Sequence, residues 1–209
     1  SNKEFPWLSY RDIEIGMCPV RALRVAYTGE LGWELHHPIE MQNYLLDILL
    51  SSGKEFNLKL VGARAQNWLR QEKSYKAFGS DLGRDAGPFE SKLSRFVDIN
   101  KNFLGKDALL KRKTDVSCVT LLIDGPKDID PWGREALYNE TEEVMLGRLT
   151  SAGYSVHFKR SIGIGYVKSS FSEVGTKLRI KIDDAFWNAE IVRDSPYDPQ
   201  NERIIDRAQ

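Results

Sequence analysis

Ala26-Tyr27-Thr28-Gly29-Glu30-Leu31-Gly32-Trp33-Glu34-Leu35 is the stretch on which the reading of this chain turns. A short apolar, β-branched run, Val20 to Ala26, leads into it, and Trp33-Glu34-Leu35-His36 leads out in strict alternation. The pattern predicts two strands meeting across a turn, with Trp33 and Leu35 on one sheet face and Glu34 and His36 on the other. Gly29 and Gly32 can take positive φ or let another group approach the backbone closely. An aromatic hydroxyl, a turn and a carboxylate then share one short unit. A carboxylate facing outward from a strand can accept paired N–H donors from a flat heterocycle. On pattern alone the same residues also describe an ordinary hairpin with a solvated Glu34.

Working outward, Tyr10 to Ile15 alternates and reads as a strand, Gly16 to Pro19 as a turn, and Val20 onward as the antiparallel return. Pro38 opens a helix whose apolar face is Met41, Tyr44, Leu45, Ile48 and Leu49, with Gly53 where a C-terminal cap belongs. Gly62 to Lys73 predicts a second helix, on which Arg64, Trp68 and Gln71 share a face. Arg64 is either a surface cation or a planar fork of donors for a carbonyl or carboxylate. Ser74 to Pro88 is loop-like, and Asp81 and Asp85 within it read as turn formers rather than catalytic acids.

A charged stretch, Lys111 to Asp115, marks a boundary. Beyond it lie short strands separated by turns: Ser117–Ile123, Ala136–Tyr138 with Val144–Leu146, Ser161–Val167, Lys177–Ile182 and Trp187–Arg193. That spacing predicts a small β-barrel. Gly163 and Gly165 are not a nucleotide fingerprint, because no helix follows them. The expected class is α+β: an antiparallel sheet with helices over residues 1–113, then a C-terminal β-barrel over 114–209.

Thirty basic residues balance thirty acidic ones, so charge gives no reason to expect nucleic acid or an anionic membrane as partner. Cys18 and Cys118 have no metal or redox spacing and read as inert thiols in a reducing compartment. His36, His37 and His157 are too scattered for a zinc site. No apolar run approaches the roughly 20 residues of a membrane span. The expected location is the cytoplasm, or the mitochondrial matrix in a eukaryote. The chain begins at Ser1 and enters strand-like sequence almost at once, so it reads like the later part of a longer protein.

Tyr27 to Leu35 resembles the signature of the aminomethyltransferase (glycine cleavage T-protein) superfamily. It is closer still to the folate-binding half of flavin-dependent dimethylglycine and sarcosine dehydrogenases. The resemblance continues through the helix carrying Ala63-Arg64 and Leu69-Arg70-Gln71-Glu72-Lys73. It extends to Tyr75–Leu82, Phe103–Leu110, Gly147–Ser155 and Ser161–Val167, covering roughly residues 5 to 205. It implies that Tyr27 and Glu34 hold the pterin ring of tetrahydrofolate and that Arg64 contacts the folate. It also implies that the barrel closes over the folate site. In the family the one-carbon donor comes from a lipoyl carrier protein, or from flavin oxidation of an N-methyl amine. An aspartate in the amino-terminal part of the domain assists the chemistry. Neither that part nor a flavin-binding region is matched here, so no catalytic residue is assigned and FAD is expected only with a preceding domain. The alternatives are a folate-dependent demethylase with another methyl donor, and a non-catalytic folate-binding or subunit-stabilising module. Open strand edges suggest a homodimer.

Overall fold

The computed structural model describes residues 2–125 and 129–205. The chain divides into two compact units, Ser1–Leu69 with Asp198–Gln209, and Arg70–Tyr197. Each is described by itself. The 113/114 boundary expected from the charged stretch lies within the second unit.

The first unit is built on a three-stranded antiparallel sheet in the order β1-β2-β3, with β1 Tyr10–Ile15, β2 Cys18–Leu23 and β3 Glu34–His36. The β1–β2 turn is only Gly16 and Met17, since Ile15 pairs with Cys18. Gly16 has φ +61°, and a Cβ there would lie 2.5 Å from Ile48 Cδ1. The backbone therefore calls for glycine, and the side-chain ends of Ile48 and Tyr44 close over it. On β2 the odd-even pattern is strict: Cys18, Val20 and Ala22 are buried, Pro19 and Arg21 exposed. A short 3-10 turn, Ile39–Met41, leads into α1, Gln42–Gly53. Met41, Tyr44, Leu45 and Leu49 of the predicted apolar face pack with Leu35 on Cys18, Val20 and Ala22. Tyr44 adds a polar anchor, its hydroxyl accepting from the Met17 N–H at 3.1 Å.

Gly53 is not the left-handed cap that its position suggests. It has φ −76° and ψ −11°, and the left-handed residue is Asn57 at φ 57°. Glycine is needed at 53 because Leu58 packs over it, 2.5 Å from where a Cβ would stand. The second helix, α2, runs Ala63–Glu72, and the division between the units falls within it.

The second unit contains α3, Lys106–Lys111, and a closed six-stranded barrel. Its strands are β4 Val116–Ile123, β5 Ala136–Tyr138, β6 Met145–Ser155, β7 Arg160–Lys168, β8 Lys177–Ile182 and β9 Ala185–Val192. They close in the order β4-β7-β6-β5-β8-β9, antiparallel throughout. The α+β reading with a terminal barrel thus holds. Val119, Leu121, Ile123, Leu137, Leu149, Val167, Leu178, Ile180 and Ile191 fill the interior. Closure removes the sheet edges that short strands would otherwise expose.

Candidate functional site

The organising stretch folds as a ten-residue connection between β2 and β3, residues 24 to 33. Both strands are shorter than their apolar patterns suggest, because the backbone finds other partners. The Arg24 N–H donates to Ser9 O at 2.9 Å, and its carbonyl accepts from Leu8 N–H at 3.1 Å. The Val25 N–H then turns back to Leu23 O at 2.9 Å. Gly29 supplies the left-handed conformation at φ 81°. Gly32 supplies close approach, a Cβ there standing 3.1 Å from that of Ala26.

β3 pairs with β2 through Leu23↔Glu34, Ala22↔Leu35 and Arg21↔His36. Directly opposed residues share a face, so Leu35 goes inward with Ala22 while Glu34 and His36 face out, as the alternation predicts. The Glu34 side chain is 53% exposed, and its Oε2 lies 3.4 Å from His36 Nε2. Across the sheet, Arg21 donates to Asp12 through Nε at 2.8 Å and Nη2 at 3.0 Å. That fork holds the Asp12 carboxyl below its ordinary value. A broad hollow of ≈ 940 Å³ lies on this face, lined among others by Asp12, Arg21, Leu23, His36 and His37.

Tyr27 sits in the connection and is partly exposed. Arg64, in the first turn of α2, stacks its guanidinium 5.2 Å from the centre of the Trp68 ring, one helical turn on. Tyr27, Glu34 and Arg64 all belong to the first unit and are all solvent-accessible. Tyr27 and Glu34 flank one turn, and Arg64 stands on a separate element with its flat face packed on an indole. The chemistry on offer is an accessible carboxylate acceptor, a phenol and a planar cation. That donor and acceptor set fits a heterocycle bearing N–H donors and a carbonyl.

The sequence concealed three polar residues. Asp81 lies in a turn, as expected, its N–H donating to Ala77 O at 2.9 Å, but it is only 2% exposed. Its carboxylate accepts from Arg70 Nη1 at 2.5 Å, Ala77 N–H at 2.9 Å, Thr150 Oγ1 at 2.5 Å and Ser151 Oγ at 2.6 Å. Glu90 is likewise buried, its Oε1 accepting from Arg112 Nε at 3.1 Å and Thr114 Oγ1 at 2.5 Å. Arg24, read only as part of a strand, is 1% exposed. Each lies beside glycine-rich or strand-like sequence that carries no signal of burial. For Asp81 and Glu90 only the basic partner, Arg70 or Arg112, reveals it.

Cys18 and Cys118 are free and buried, and burial pushes the Cys118 thiol up to about 12. Among the described residues no group of three or more His, Cys, Asp or Glu stands together as a metal site would require. No described helix is long and apolar enough to cross a membrane.

Comparison with known proteins matches residues 1–101 to the GCVT N-terminal domain and residues 117–198 to the glycine cleavage T-protein C-terminal barrel domain. Mitochondrial dimethylglycine dehydrogenase of Mus musculus is 35% identical over 201 residues, which are 93% of this chain and 23% of that protein. The aminomethyltransferase of Caldanaerobacter subterraneus subsp. tengcongensis is 32% identical over 170 residues, 81% of this chain and 45% of that protein. This chain therefore spans about a quarter of the first relative and under half of the second. The crystal structure of glycine cleavage system aminomethyltransferase T from Bartonella henselae superposes with a TM-score of 0.81 at 21% identity, covering 95% of this chain and 55% of that one. That structural likeness establishes the fold, and with both domain matches in chain order the chain belongs to the aminomethyltransferase (glycine cleavage T-protein) superfamily.

Proposed function

We propose that this chain is the tetrahydrofolate-binding part of a one-carbon transferase that moves an aminomethyl or methylene unit. Residues 1–113 are then the second half of the folate-binding domain, and residues 114–209 its C-terminal barrel. The observation that carries the reading is the outward-facing Glu34 on β3, beside a turn bearing Tyr27, in a chain matched by both domains of the family. Glu34, as an ionised carboxylate, accepts the N–H donors of the pterin. Tyr27 packs on or hydrogen-bonds to the ring. Arg64, its guanidinium steadied on Trp68, complements a carbonyl or carboxylate of the ligand. Bound tetrahydrofolate supplies the amine nitrogen that takes up the one-carbon unit. The work of these three residues is to hold and orient it, and positioning of this kind is a large part of such catalysis.

The donor side belongs to whatever accompanies this chain. The match to a dimethylglycine dehydrogenase supports a flavin dehydrogenase domain working on an N-methyl amine, and the match to an aminomethyltransferase supports a lipoyl carrier. A cytoplasmic or mitochondrial-matrix location goes with either.

Titration with tetrahydrofolate, followed by tryptophan fluorescence and checked by calorimetry, tests the reading. Saturable binding is expected. Glu34→Gln should weaken it by about 1–3 kcal/mol, because an acceptor becomes a donor opposite buried N–H groups. Unchanged affinity would remove Glu34 from the site, and no binding by the folded chain would overturn the reading.

A further inference from the structure

Arg24 closes the incoming side of the turn, in surroundings unusual for a guanidinium. It is 1% exposed. Nη2 donates to the carbonyl of Ile204 at 3.2 Å, and the guanidinium lies 4.7 Å from the centre of the Trp33 ring. Nε and Nη1 are buried and meet no acceptor among the described residues. Arginine keeps its proton in proteins, so a full charge is buried against one neutral carbonyl and one indole face. Removing an ion from water costs more than those two contacts return. Buried polar atoms are almost always satisfied, and an exception calls for a missing partner.

What would complete the site follows from the donors. A fixed positive charge with free N–H groups calls for an anionic oxygen, and a planar guanidinium is matched best by a carboxylate. The Ile204 carbonyl is a poor substitute, neutral and at the long end of the hydrogen-bond range. It belongs to a short run of turns whose fold rests on Asp198, which accepts from the N–H groups of Glu202 at 2.8 Å and Arg203 at 3.1 Å. Freeing that carbonyl takes a local opening that also uncovers the buried Ile204 and Ile205 side chains, short of unfolding the unit.

We propose that Arg24 is an anion socket that takes a carboxylate, displacing the Ile204 carbonyl. Arg24 and Trp33 bracket the turn that bears Tyr27, so filling the socket fixes that turn from both ends. The carboxylate belongs to a small ligand or to the side chain of a neighbouring protein segment. The proposal stands on Arg24 alone and does not depend on folate being the ligand of Glu34.

The test is thermal unfolding of the chain in sodium formate against sodium chloride at matched ionic strength, for the native protein, Arg24→Met and Arg24→Lys. The native Tm should rise saturably with formate and not with chloride. Arg24→Met should lose that response while its Tm in chloride stays level or increases, because it removes an uncompensated charge and keeps the length of the side chain. Arg24→Lys should keep part of the response. Repeating the series with free glutamate and with a blocked aspartyl peptide separates a small-molecule source from a protein one. A native chain that unfolds cooperatively with no formate effect would overturn the socket. So would an Arg24→Met chain that fails to fold or melts far below the native one, since Arg24 would then be a structural residue already satisfied as it stands.

Discussion

At Asp81 a single carboxylate organises the polar interior of the second unit. It gathers Arg70, the Ala77 N–H, Thr150 and Ser151, while its own backbone carbonyl accepts from the Tyr166 hydroxyl at 2.8 Å. Arg70 is as buried as its partner and also donates to Ser151 Oγ at 2.6 Å. Asp81→Asn takes the Asp81 charge away from that buried guanidinium and turns one acceptor into a donor. A loss of about 3–5 kcal/mol is expected in urea unfolding, the range for breaking one side of a buried ion pair. A loss below about 1 kcal/mol, typical of an exposed pair, would refute the hub. Glu90 gives a pH signature. Burial pushes its carboxyl up, but hydrogen bonds from Thr114 and Arg112 and the charge of Arg112 outweigh it and leave the value below the ordinary 4.5. A group depressed in the folded state contributes stability that is complete above its unfolded value and is lost as pH falls through the folded one. Glu90→Gln should therefore flatten the decline of Tm below the ordinary glutamate range and leave its shape near neutrality unchanged.

Among the elements, β6 and β7 meet more closely than side chains would permit. Gly147 pairs with Val167, and a Cβ on it would stand 1.9 Å from the Tyr166 carbonyl oxygen and 2.8 Å from Val167 Cα. A Cβ on Gly165 would stand 2.5 Å from the Arg148 carbonyl oxygen of the opposite strand. These atoms are backbone and cannot turn aside, so Gly147→Ala must part the strands or shift their register. A Tm drop beyond the equivalent of about 1–3 kcal/mol for ordinary overpacking is expected. Gly62→Ala is the control: nothing lies within 4 Å of its Cβ, and its Tm should stay level or rise slightly as the unfolded chain loses freedom. The same contact with Arg148 gives Gly165 a packing role on β7. Met145 and Leu146 run on into Gly147–Ser155 as one strand, bulged between Leu149 and Ser151, where the sequence suggests separate pieces. A bulge lets a strand bend around a closing barrel, and its position follows from the partner strand rather than from local composition.

Over the whole molecule, apolar side chains remain at the surface in both units, including Ile39, Phe56, Leu60 and Val61 in the first and Phe78, Phe96 and Leu104 in the second. Net charge is zero at neutrality, which removes the repulsion that keeps such surfaces apart. The β1 edge is blunted by Arg11, Asp12 and Glu14, a common defence against strand addition. The apolar surface is therefore the stronger drive to self-association. Light scattering across a range of concentrations should show the mean mass rising, more at pH 7 than at pH 9, where the chain is anionic. A constant monomer mass at both pH values would count against this and against the homodimer suggested by the open edges.

Local pattern determined a good deal by itself. The alternation of Lys177–Ile182, the apolar stripe from Met41 to Leu49, and the Arg64–Trp68 stack all follow from periods of 2 and 3.6, whereas Tyr10–Ile15 forms the expected strand but is exposed along almost its whole length. The outward placement of Glu34 follows from the same rule. The tertiary structure alone decided which polar residues are buried, because the side-chain partners of Asp81 lie 11 and about 70 positions away in sequence and burial depends on what the rest of the chain places there. It also decided where β2 ends and β3 begins, since the backbone of Arg24 bonds to Leu8 and Ser9 instead of continuing the ladder. A period records which way a side chain points, whereas burial and the pairing of backbone groups depend on residues far along the chain.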